Sequence, residues 1–171
     1  MDSVIGSRTA IETLIWLSED AFEADPAHSL LANLGELRGE DWTALPAGGN
    51  ANRSIAEIVE HVAWAKWMYT DYAFGSATLA GDQPPMVPAG GGRARPQDEL
   101  LPWLREGHGR WLAAVRALAD DSELDRPRLA NWGEHLPTRT LVRILLAHDL
   151  YHAGEINHLR ALLHGSDGWP Y

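Results

Sequence analysis

The chain has 171 residues, 45% of them hydrophobic, which is enough for a single domain with a core of its own. It contains no cysteine, which excludes disulfides, thiolate-bound metals, iron–sulfur clusters and cysteine nucleophiles. Acidic residues outnumber basic ones 24 to 14, and the resulting formal charge of −10 repels phosphate backbones, so no nucleic-acid partner is expected. The N-terminus, MDSVIGSRTAIETLIWLSED, has no basic region followed by a long apolar run, and no signal peptide is expected. No stretch of about 18 apolar residues occurs either, so the expectation is a cytoplasmic protein with no membrane partner.

Five helical stretches follow one another, and no internal repeat is evident. The first runs from about Thr9 to Glu23. A second is expected to start at Asp25-Pro26, with Asp as cap and Pro at the first helical position, and to end near Arg38-Gly39. The third opens on a capping box, Ser54 as N-cap and Glu57 three residues on, and runs to Phe74 with Gly75 as its stop. Its apolar seam reads Ile58, His61, Ala65, Met68, Tyr72.

Residues 76–96 are rich in Gly and Pro and read as a long loop, the kind that serves as a lid or binding segment. The fourth helix is expected over about Asp98 to Asp120, with seam residues Leu101, Leu104, His108, Trp111, Val115 and Leu118. Pro102 leaves its start open. After an irregular stretch containing Asn131-Trp132-Gly133-Glu134, the last helix runs from about Thr138 to His164, with Gly165 as stop. Its seam is Leu141, Leu145, His148, His152, Ile156, Leu159, Leu163. β-Branched alternation is nearly absent, so the fold class is all-α, with the long helices packed as a bundle.

Chemistry concentrates on the histidines. His148 and His152 are four apart and share one helix face, the apolar seam. His61 sits on the seam of another helix. Three such imidazoles can converge on one divalent ion at about 2.0–2.1 Å and leave an open position, as catalytic zinc sites do. Burying two neighbouring imidazoles is awkward unless a cation shares their lone pairs. His108 is also on a seam, either as a fourth ligand or as a core residue. Glu155, one turn beyond His152, can accept an imidazole N–H, act as a general base, add a weak ligand, or simply be a solvated carboxylate. Glu57 is accounted for by the capping box, and Asp149 points about 100° away from His148, toward another helix or solvent. His28, His135, His158 and His164 read as surface residues. Trp64, Trp111 and Trp132 are candidates for a pocket wall or for the core.

The lone His61 in SIAEIVEHVAWAKWMYTDYAFG, the NWGE segment and HDLYHAGEINHLRALL together resemble the DinB/YfiT-like superfamily of metal-binding four-helix bundles, over about residues 27 to 164. The resemblance implies a DinB-like four-helix bundle in a single domain over 1–171, with residues 1–24 as an extra N-terminal helix. It implies His61, His148 and His152 as ligands to zinc or nickel, and a homodimer. Characterised relatives include mycothiol-dependent maleylpyruvate isomerase and S-transferases that use mycothiol or bacillithiol. The implied activity is therefore that of a metal-dependent enzyme acting on a small-molecule substrate with a low-molecular-weight thiol. A non-catalytic metal-binding or stress-response protein remains an alternative. A third is a zinc peptidase, because His148 to His158 approaches the HExxHxxGxxH pattern. Against it, Asp149 stands where the glutamate base belongs, Gly154 is displaced by one position, and the seam continues through Ile156, Leu159 and Leu163.

Overall fold

A computed structural model describes residues 6–35, 37–46, 53–81 and 95–165. Helix α1 spans Thr9–Glu19 and widens into a π-helical turn, Asp20–Ala24. The second stretch is shorter than its sequence suggests. Asp25 does act as a cap, but its Oδ1 accepts only from the amides of Ala27 and His28 and closes a single turn. Ser29 then caps a new start, its side chain accepting from the Ala32 amide, and α2 is confined to Leu30–Leu34. A 3-10 turn, Gly39–Trp42, follows.

Helix α3 spans Ile55–Phe74 and begins on the expected box: Ser54 accepts from the Glu57 amide, and Glu57 Oε2 accepts from the Ser54 amide at 2.7 Å. It ends at Gly75 by another device than a left-handed stop. Gly75 has φ −111°, and the Asp71 carboxylate gathers the amides of Ser76, Thr78 and Leu79. Of the loop expected at 76–96, residues 82–94 lie outside the described residues.

Helix α4 spans Gln97–Arg116, with Pro102 inside its second turn, and α5 spans Thr138–His164, ending on Gly165 in the left-handed region at φ 72°. Between them lies a small hairpin that the sequence reading did not contain. β1 (Pro127–Leu129) pairs antiparallel with β2 (His135–Pro137), Arg128 opposite Leu136. These strands hold Pro, Arg, Leu and His but no β-branched residue, so nothing in their composition marks them. Among the described residues, no helix is long and apolar enough to cross a membrane. The fold is all-α apart from this hairpin.

The core forms two apolar clusters, one at each end of the helices. The first joins Phe22, Leu30, Leu34 and Trp42 to Ile58, Val59 and Val62 of α3, Leu100 and Leu104 of α4, and Ile156 and Leu159 of α5. The second joins Ile11 of α1 to Trp111 and Val115 of α4 and to Leu141, Val142 and Leu145 of α5. Trp111, fully buried, belongs to this packing, with Tyr69 and Phe74 edge-on to its ring. Between the clusters, α3 contributes Lys66, α4 contributes His108, and α5 contributes His148, Asp149 and His152. This polar layer positions the site.

Candidate metal centre

The capping box sets the start of α3 and carries His61 toward α5. The i,i+4 spacing aligns His148 and His152 on the face that meets it. Their reacting atoms converge. His148 Nε2 lies 3.0 Å from His61 Nε2 and 3.2 Å from His152 Nε2. One ligand atom from each ring lies within 4.8 Å of the others. Three nitrogens about a tetrahedral ion at about 2.0–2.1 Å stand roughly 3.3 Å apart, so the spacing suits a shared ion. His61 is exposed, His148 half-buried and His152 buried, so the group opens to solvent on the α3 side.

Hydrogen bonding orients the set. Glu155 Oε2 lies 2.7 Å from His152 Nδ1, so that nitrogen donates to the carboxylate and Nε2 presents a lone pair. Arg53 Nη2 approaches the other Glu155 oxygen at 3.4 Å. The Tyr151 ring stands edge-on to His152 with centroids 5.0 Å apart. Desolvation lowers the pKa of all three imidazoles. For His61 the nearby His152 and Arg53 add to it. His148 is pushed down to about 3 by burial first and then by His152 and His61. His152 is lowered by burial although Glu155 pulls it up. The neutral imidazole, the form that binds metals, is therefore the one the site favours. The donor set is three nitrogens with no thiolate, which suits zinc, nickel and other first-row ions.

An ion pair between Lys66, which no motif of the sequence singles out, and Asp149 completes the layer. Lys66 and Asp149 are each about 1% exposed, and Lys66 Nζ meets Asp149 Oδ2 at 2.7 Å. Burial lowers Lys66 and raises Asp149, and the contact between them opposes both shifts. The pair ties α3 to α5, the two helices that carry the histidines. Asp149 thus faces another helix, one of the two placements its position allowed. Its residue number sets it on the buried stripe Val142, Leu145, Asp149, His152, Ile156. Lys66 extends the stripe Val59, Val62 in the same way.

The other candidates separate. His108 does not join the three histidines: its Nδ1 lies 3.1 Å from Lys66 Nζ, and its ring stacks on Phe22. His158 is exposed on a helix that continues straight to His164, and Asp149 is bound to Lys66, so the peptidase arrangement lacks both its third ligand and its base. His164 is not merely a surface group, because its Nε2 lies 3.0 Å from the Asp41 carboxylate. Trp64 is half-buried against both apolar clusters, and Trp132 is exposed with its Nε1 donating to Glu134.

Among known families, the model of the DinB superfamily matches the chain over residues 21–156, most of its length. No curated protein matches it.

Proposed function

The chain belongs to the DinB superfamily, and on that premise we propose that it is a metal-dependent enzyme that activates a low-molecular-weight thiol against a small electrophile. His61, His148 and His152 hold the ion, zinc or nickel, and Glu155 is the site's carboxylate. The observation that carries this reading is the convergence of three imidazole Nε2 atoms from α3 and α5 at a solvent-open edge of the bundle. A divalent ion held there supplies a Lewis-acid position that lowers the pKa of a coordinated thiol.

The chain's own residues do the rest. Glu155 keeps the His152 proton on Nδ1 and is itself steadied by Arg53. The Lys66–Asp149 pair fixes α3 against α5 beside the ligands. Asp149 cannot take a proton from a substrate at the open edge, because it is buried and engaged. The test incubates metal-loaded protein with mycothiol or bacillithiol and a chlorodinitrobenzene. Thiol–arene adduct should form faster than with the metal-free protein, and His61→Ala should abolish the excess. Equal rates with and without metal would remove the enzyme reading.

A second reading, a metal-binding protein without turnover, rests on the histidines coming from both α3 and α5, so that an ion held by them would tie those helices together. It predicts metal-dependent thermal stability with no reaction across a thiol panel.

A further inference from the structure

A second polar group in the bundle faces away from the three histidines. Where α1 passes into its π-helical turn, the Asp25 amide reaches back five residues to the Asp20 carbonyl, and the helix widens. Such turns are rare and concentrate at functional sites. Here the turn borders a cavity of about 340 Å³ between itself and α4. Phe22 and Leu112 form its apolar sides, and His108 lines it.

His108 is 6% exposed, and its ring lies flat against Phe22 with centroids 3.6 Å apart. Its Nδ1 is 3.1 Å from Lys66 Nζ. A lysine ammonium has only donors, so Nδ1 accepts, and the ring proton resides on Nε2. Nε2 makes no hydrogen bond to any described residue. An N–H polarised by the ammonium behind it is thus left for the cavity, where it keeps some contact with solvent and an entering acceptor would take the place of water. The surrounding charges are already balanced. Lys66 is met by Asp149, Glu19 by Arg116, and Glu23 by Arg105 at 2.6 Å.

We propose that this cavity is a binding site for a small uncharged molecule, about one ring in size, whose carbonyl or equivalent acceptor oxygen takes the His108 Nε2–H. Its apolar body packs between Phe22 and Leu112. The volume stands near the lower end of small-molecule pockets, which sets the one-ring limit. Charge balance excludes an anion, because the Glu19 and Glu23 carboxylates stand at the cavity with no spare cation. The site is independent of whether the three histidines hold a metal.

The test observes histidine ring nitrogens by NMR in the full-length ¹⁵N-labelled protein. It is titrated with benzamide, cyclohexanone and N-methylpyrrolidone, and with toluene and benzoate as matched probes. His108 should show protonated Nε2 and unprotonated Nδ1. At least one carbonyl probe should shift its Nε2 signal saturably, with Kd of about 1 mM or tighter, and toluene and benzoate should bind at least tenfold more weakly (about 1.4 kcal/mol). Ala24→Leu, which fills the cavity without touching Lys66, should abolish the shift, and His108→Phe should abolish the preference for carbonyl over toluene. If no carbonyl probe moves the signal at 10 mM (about −2.7 kcal/mol), if toluene or benzoate binds as well, or if the proton is on Nδ1, the proposal is wrong. The wild-type comparison decides the matter even if a variant fails to fold.

Discussion

Replacing Lys66 by methionine tests the polar layer directly. Both members of the Lys66–Asp149 pair are about 1% exposed and 2.7 Å apart, and Asp149 Oδ1 has no partner among the described residues. Lys66→Met therefore leaves a carboxylate buried with its ion-pair partner gone. Breaking a pair of this kind costs about 3–5 kcal/mol, or two to nearly four powers of ten in the folding constant. Removing both charges behaves differently. In Lys66→Met/Asp149→Leu the apolar replacement returns about 1–4 kcal/mol, while the orphaned His108 Nδ1 costs about 1–3 kcal/mol. The double variant should thus lie between about 2 kcal/mol below and about 3 kcal/mol above the parent, and above either single variant. The assay is urea unfolding followed by tryptophan fluorescence at neutral pH with a chelator, so that metal binding does not enter. Arg105→Ala, which breaks an exposed pair with Glu23, is the control and should cost at most about 1 kcal/mol. If Lys66→Met costs no more than the control, Asp149 reaches water and the layer is not sealed.

Further outcomes follow from the same geometry. His61→Ala should lose tight metal binding by calorimetric titration and keep the melting temperature of the metal-free protein, since His61 is exposed. Glu155→Ala should weaken metal affinity by about 10–100-fold, because it frees the His152 ring that the carboxylate orients. His108 is held down to about 2, mainly by burial and then by Lys66 and Arg116, so the unfolded chain takes up a proton there below about pH 6.5 that the folded chain refuses. Stability from this group is complete above that pH and falls as pH decreases, by about 1.4 kcal/mol per unit. The wild type should therefore lose about 1.6 kcal/mol more than His108→Phe between pH 6.5 and 5 in urea melts. Gly107→Ala should destabilise the bundle by about 1–3 kcal/mol, since its Cβ would stand 2.8 Å from the Trp67 side chain at the α3–α4 crossing.

The elements read best from sequence were those whose ends carry an unopposed signal. Ser54 and Glu57 have one partner each and fix the start of α3, and Gly165 ends α5 in the only conformation its sharp stop needs. The second stretch failed because it holds two competing starts. Asp25-Pro26 and Ser29 each offer an oxygen to following amides, and the structure uses both, one for a turn and one for a five-residue helix. The strands of the hairpin carry no pattern of their own. They are held by what lies around them, the Arg126 carbonyl accepting from both the amide and hydroxyl of Thr138.

The histidines and the ion pair were equally periodic, yet only the histidines stood out. An imidazole on an apolar seam prompts a search for a metal, and three of them in two helices supply one another's explanation. Asp149 was read against its neighbour His148 instead of against its own stripe, and Lys66 drew no reading. Val59, Val62 and Lys66 are in helical step, as are Val142, Leu145, Asp149 and Ile156. A full charge in such a stripe is almost never buried alone. A cation on one seam and a carboxylate on another therefore imply contact between those helices at that level, before any coordinates are known. His61, five residues before Lys66 on α3, meets His148, the residue next to Asp149 on α5. The three histidines then form the solvent edge of a charged layer, and α3 and α5 cannot slip past each other without exposing or orphaning Lys66.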